Sequence, residues 1–150
     1  RSGTLPAPLC VGFGAAATIA GAEMAAEAER LTAIRNAFLG ALDAAGARYV
    51  VNGAMRDRIP GNLNIAFHGA DALGVMQAAP DVAVSTGSAC SAASVEPSYV
   101  LTALGVAPEV AAGALRIGFG RQTTMAEAMT AANRLAAAAA TVARKNAATE

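Results

Sequence analysis

A helical period holds from about Ala7 to Ala45 and another from Thr124 to about Lys145, so everything else in the chain has to pack against two long helices. In the first stretch Met24, Leu31, Ile34, Phe38 and Leu42 fall on one face, while Glu23, Glu27, Glu29, Arg30 and Arg35 lie elsewhere. Gly21 divides this stretch into two helices, and Gly46 stops it. In the second stretch Thr124 is the N-cap, and Met125, Met129, Ala132, Leu135 and Val142 form the apolar stripe. Between them the patterns are short. Arg48 to Val51 reads as a strand before the turn Asn52-Gly53, and Asn62 to Phe67 alternates polar and apolar residues as a half-buried strand does. Ala70 to Ala79 reads as a helix closed by Pro80, Val82 to Val84 as a brief strand, and Pro97 to Leu104 as a short helix. Pro108 to Ala112 adds a turn, and Ala114 to Phe119 a last strand. The order predicts an α+β fold: a long N-terminal helix or helix pair, then a short, mostly antiparallel sheet with helices on one face.

Composition narrows the function. A chain of 150 residues with 55% hydrophobic content has ample material for one domain, or one lobe of a larger one. Eleven basic residues balance eleven acidic ones, so no basic field exists to hold nucleic acid. The apolar stretches, such as Leu135 to Ala140, fall far short of the roughly 20 residues of a membrane span, and the N-terminus has no signal-peptide pattern. Cys10 and Cys90 show neither disulfide-framework nor zinc-ligand spacing, which points to free thiols and a cytoplasmic protein. Cys10, among Leu9, Val11 and Phe13, reads as a small buried hydrophobe. The single lysine is Lys145 and the single histidine His68. Beginning at Arg1 inside a compact motif, the chain reads as a piece whose front has been removed.

Cys90 has the opposite neighbourhood to Cys10. The run Ser85-Thr86-Gly87-Ser88-Ala89-Cys90-Ser91-Ala92-Ala93-Ser94-Val95-Glu96-Pro97 offers only Ala and Val to anchor itself, and Gly87 relaxes the backbone ahead of the thiol. Such a cysteine is read as a nucleophile. Ser88, Ser91 and Ser94 keep the run small and polar.

This run closely resembles the active-site loop of the NifS/IscS-type cysteine desulfurases. Arg1-Ser2-Gly3-Thr4-Leu5-Pro6 and Leu115-Arg116-Ile117-Gly118-Phe119-Gly120-Arg121-Gln122-Thr123-Thr124 resemble that family in the same order. The resemblance covers the family's C-terminal part and implies residues 1–150 are the small domain of a fold-type I, pyridoxal-phosphate-dependent enzyme of the class V aminotransferase group, with a segment leading in from the large domain. Such enzymes take sulfur from L-cysteine, leave L-alanine and carry a persulfide on a cysteine. By motif match Cys90 is that nucleophile, Arg116 binds the substrate carboxylate, and Thr4 reaches the cofactor phosphate of the other subunit of a homodimer. An iron–sulfur scaffold is the implied sulfur acceptor, and related enzymes act on selenocysteine. The resemblance assigns His68 no catalytic duty and leaves Arg121, Thr123 and Thr124 structural. The cofactor's lysine, stacking histidine and aspartate belong to a large domain expected ahead of Arg1, and Lys145 matches no motif that would replace that lysine. Pyridoxal 5'-phosphate is therefore expected in the complete enzyme but not covalently on this chain, which alone is expected to be inactive. Two other readings are a stand-alone persulfide-relay or partner-binding module, and a structural remnant that dimerises through the first helix.

Overall fold

The computed structural model describes residues 3–86 and 98–148. Cys90, Ser88, Ser91, Ser94 and Pro97 lie outside the described residues. In chain order the elements are α1 (Ala7–Ala44), β1 (Tyr49–Val51), β2 (Asn62–Phe67), α2 (Ala72–Ala78), α3 (Tyr99–Ala103), α4 (Pro108–Ala112), β3 (Ala114–Gly118) and α5 (Met125–Ala147).

Alternation in β2 decides how the layers stack. The three strands form an antiparallel sheet in the order β1-β2-β3, with Val51 opposite Ile65, Ile65 opposite Leu115, and Leu63 opposite Ile117. Because side chains alternate along a strand, Leu63, Ile65 and Phe67 share a face with Leu115 and Ile117. That face meets the buried half of α1 through Ile34, Phe38 and Leu42, α2 through Val75, and α5 through Ala132, Leu135 and Val142. Phe38 meets Phe119 edge-on, with ring centroids 5.4 Å apart. The other face carries Asn62, Asn64 and Ala66 of β2 beside Gly118, Arg116 and Ala114 of β3. Among the described residues, its Ala66–Ala114 end is covered by Leu101 of α3 and Ala111 of α4. The α+β class and antiparallel sheet match the sequence expectation, and α3 and α4 add cover on the second face.

Local chemistry explains the boundaries. Thr124 and Glu127 form a reciprocal capping box at the start of α5, which holds the Glu127 carboxyl below its ordinary pKa through the Thr124 backbone and hydroxyl donors. The Arg30 guanidinium pairs Glu27 at 2.7 and 2.8 Å and donates to the carbonyls of Thr123, Gly120 and Arg121. One side chain thereby clamps the β3–α5 turn onto α1. At Gly61 a Cβ would collide with the Phe119 carbonyl, so only glycine lets the turn ahead of β2 lie against the end of β3.

Several expectations are corrected. Gly21 does not break α1, since one glycine among alanines costs only about 1 kcal/mol of helix propensity. Cys10 is exposed rather than buried, and Met24 is exposed too, because the first half of α1 extends beyond the sheet. Met125 and Met129 are likewise exposed; the buried stripe of α5 is built from Ala128, Ala132, Leu135, Ala136, Ala139 and Val142. Residues 82–84 form no strand, and only Ser85 bridges to Arg116. Finally, α1 is long and apolar enough by length and composition to cross a membrane, with mean hydropathy 1.5 over 18 residues, none of them buried. Small residues hide this run in the sequence, where no charge occurs between Arg1 and Glu23.

Candidate functional site

The Asn62–Asn64 end of the second sheet face carries Arg116. Arg116 stands directly opposite Asn64 in the β2–β3 register, and Asn62 follows two residues along on the same face. The exposed Arg116 side chain lines a cleft of about 290 Å³ together with Asn52, Arg58, Asn62 and Asn64, with Leu101 and Leu104 forming an apolar wall. Among the described residues its lining holds two guanidiniums, three carboxamides and no carboxylate. It suits an anion or a zwitterion of amino-acid size.

The chain on either side of the Cys90 segment meets this cleft. Arg116 N–H donates to the Ser85 carbonyl at 2.6 Å, and Ser85 N–H donates back to the Arg116 carbonyl at 3.2 Å. The chain is thus pinned to β3 beside Arg116 just before residues 87–97 begin. Thr86 and Ser98, the residues on either side of that segment, both line the cleft.

A polar network underlies the wall facing Arg116. Buried Asn52 donates through Nδ2 to Oδ1 of Asn64 at 2.7 Å, and its N–H donates to the Asn64 carbonyl at 2.9 Å. Arg58 Nη2 donates to the Asn52 carbonyl at 2.6 Å and Nε to that of Ala54 at 2.8 Å, which closes the loop after β1 around Gly53 at φ +79°. Burial, and after it the charge of Arg35, lowers the pKa of Arg58 below the ordinary guanidinium value. The group still carries its charge at neutral pH.

The other sequence candidates lie elsewhere. Thr4 is exposed ahead of α1 and is not among the residues lining the cleft. His68 occupies an exposed turn at the far end of β2, where its N–H donates to the Arg48 carbonyl, an ordinary turn position. Lys145 is exposed in the last turn of α5. Two roomier clefts, of about 650 and 610 Å³, run along α5 and α1 and include neither Thr4 nor Arg116. Sequence reasoning missed Asn52, Arg58 and Asn64. The alternation Asn62-Leu63-Asn64 was the available signal, since it places two carboxamides on the face opposite the core.

The aminotransferase class-V family model matches residues 1–130. The cysteine desulfurase IscS of Anaeromyxobacter sp. (strain Fw109-5) is 50% identical over 127 residues, covering 85% of this chain and 31% of that protein. The cysteine desulfurase IscS of Ectopseudomonas mendocina (strain ymp) is 48% identical over 127 residues, with the same coverage of each chain. The chain thus spans about a third of the length of the curated relatives it matches. Among solved structures, a NifS-like protein aligns with TM-score 0.75 at 23% identity, over 91% of this chain and 34% of the other. A NifS-like protein from Rickettsia africae ESF-5 aligns with TM-score 0.75 at 20% identity, over 92% and 36%. These two speak to the fold.

Proposed function

This chain belongs to the aminotransferase class-V family, and from that premise we propose that residues 1–150 are the small-domain part of a cysteine desulfurase, joined to a segment leading in from a cofactor-binding domain. The reading is carried by one observation: Arg116 shares its cleft with Thr86 and Ser98, which flank the segment holding Cys90. Cys90 is four residues from Thr86, a stretch of chain that spans at most about 14 Å, so a thiol tethered there works in the neighbourhood of Arg116.

In this reading Arg116 pairs the carboxylate of L-cysteine, and the bidentate geometry of a guanidinium orients the substrate. The Cys90 thiolate attacks the substrate sulfur. An S–S bond forms as the Cβ–S bond breaks, the electron pair passes to the carbon skeleton, and that carbon takes up a proton to become L-alanine, leaving a persulfide on Cys90. Pyridoxal 5'-phosphate, when bound, supplies the electron withdrawal that makes the carbon skeleton a competent leaving group. Among the described residues Lys145 is exposed at the end of α5 and Thr4 stands apart from the Arg116 cleft. By the resemblance of its motif, Thr4 is assigned to the cofactor phosphate of the other subunit of a homodimer, and the cofactor's lysine to the large domain. The persulfide passes to a sulfur-acceptor protein such as an iron–sulfur scaffold, in a cytoplasmic setting that keeps the thiols reduced.

The test supplies the chain with a cofactor-binding domain from a relative, L-cysteine and pyridoxal 5'-phosphate, and follows alanine release with mass spectrometry of Cys90. Expected are no turnover by the chain alone, turnover with the added domain, loss of the persulfide in Cys90→Ser, and a roughly ten- to hundredfold fall in kcat/KM for Arg116→Met. Full turnover by Cys90→Ser would refute the assignment. If Cys90 instead takes labelled sulfur from an intact desulfurase with no added domain, the stand-alone relay module is the correct reading.

A further inference from the structure

Asn64 is set up to do more than hold the sheet. Its position opposite Arg116 in an antiparallel pair puts the two Cβ atoms about 5 Å apart on the same face. Its Oδ1 is taken by Asn52, whereas among the described residues its Nδ2 hydrogens meet no protein acceptor. Asn52 is 7% exposed and is itself held by its own N–H bond to Asn64 and by Arg58 at its carbonyl. The carboxamide is therefore fixed from the protected side, and Asn64 lines the cleft. An apolar pair would serve the sheet at less expense in desolvation, as Ala66 opposite Ala114 does at the covered end. With the charge of Arg116 on one strand and a neutral N–H donor on the next, both oxygens of a carboxylate can be met from adjacent positions.

Resting on the reading that Arg116 binds the substrate carboxylate, we propose that Asn64 is a second recognition residue of the same cleft, which donates a neutral hydrogen bond to that carboxylate and favours carboxylate-bearing ligands over amines or thiols that lack one.

The test is a nuclear magnetic resonance titration of the isotope-labelled 150-residue chain with L-alanine, and with ethylamine as the same skeleton without a carboxylate. Each variant is held well below its own melting temperature. L-Alanine is expected to shift the Asn64 side-chain amide and the Arg116 Nε–H saturably, and ethylamine to shift neither. Asn64→Asp, nearly the same shape, should weaken L-alanine binding at least tenfold at neutral pH and regain it as the pH falls through the ordinary aspartate range near about 4. The protonated acid can donate again, and the other charged groups lining the cleft, Arg58 and Arg116, stay charged throughout. Asn64→Leu should bind weakly at both pH values. A merely structural Asn64 would show no such recovery. If Arg116→Met abolishes binding while Asn64→Asp and Asn64→Leu bind normally, this inference is overturned and the function it rests on survives. If Arg116→Met binds as well as the native chain, the underlying reading fails, and if the native chain shows no saturable shift, both fail.

Discussion

Replacing Asn64 by leucine isolates the energetic role of the carboxamide pair. Leucine keeps the bulk of the side chain, so water cannot refill the space, but it removes the oxygen that accepts from Asn52 Nδ2 at 2.7 Å. Asn52 is buried, and its stranded donor then bears the desolvation penalty of an unpaired amide, about 1–3 kcal/mol. In a domain of this length each kcal/mol moves Tm by roughly 2–4 °C, so Asn64→Leu should melt about 2–12 °C lower. The double variant Asn52→Leu/Asn64→Leu removes both polar partners and should recover much of that loss, since exchanging a whole hydrogen-bonded pair for apolar groups is close to neutral. Urea unfolding followed by far-ultraviolet circular dichroism reads all four members of the cycle. A double variant whose loss equals the sum of the single losses would show that the two side chains are not coupled, and the account of this wall of the cleft would be wrong.

Phe38→Ala should cost about 3–5 kcal/mol in the same assay, because Phe38 is wholly buried against Phe119 at the end of β3, and Phe38→Leu should cost less. Burial, aided by the hydrogen bond to Asp43, pushes the Tyr49 phenol up to about 12. The raised value means that its stabilising contribution is complete below pH 10 and is lost as the pH climbs from about 10 to about 12; Tyr49→Phe should flatten that part of the stability profile, and an unchanged profile would remove Tyr49 as its source. Hydrogen exchange should be much faster for the amides of residues 11–24 of α1 than for residues 34–44, since only the latter lie on the core. Equal protection would mean that the first half is covered in solution.

What could be read from the sequence was what depends on neighbouring residues. The alternation from Asn62 to Phe67 marked β2 with its observed bounds, and the helical step from Ile34 to Leu42 identified the buried half of α1. Thr124 was recognisable as a cap because a threonine directly ahead of a helical run is a local signal, and the structure adds its partner Glu127 three residues on. The features that escaped depend on residues brought together by pairing. Asn52-Gly53 looks like any polar turn until Asn64, twelve residues on, supplies its acceptor. Residues 82–84 look like a strand, yet a strand needs a partner along its length, and β3 offers the arriving chain only the bridge from Arg116 to Ser85. In α5 the expected Ala132, Leu135 and Val142 are buried, but Met125 and Met129 are not, because the first turns bury Ala128 instead, and alanines leave a weaker pattern in the sequence than methionines.

The two halves of α1 obey one rule with opposite outcomes. In the second half the apolar side chains Ile34, Phe38 and Leu42 gather on one side, where the sheet and α5 bury them. In the first half they do not gather. At about 100° per residue, Leu9, Phe13 and Met24 fall within about 60° of one another, while Val11 points to the opposite side and Ile19 lies about midway between Val11 and Leu9. Phe13 is 79% exposed on one side and Val11 72% on the other, so neither side has found cover within this fold. A single flat contact would bury one of those sides and leave the other in water. The glycines and alanines between them, including Gly12, Gly14 and Gly21 with open space around their α-carbons, permit close approach from more than one direction. A segment apolar all round is the signature of a helix enclosed by surrounding structure rather than laid on a surface. Thr4 immediately precedes this segment, and the cleft that holds Arg116 is lined by no residue of α1. The separate roles proposed for Thr4 and Arg116 are compatible with this arrangement: Thr4 adjoins the exposed half of α1, whereas Arg116 lies on the sheet.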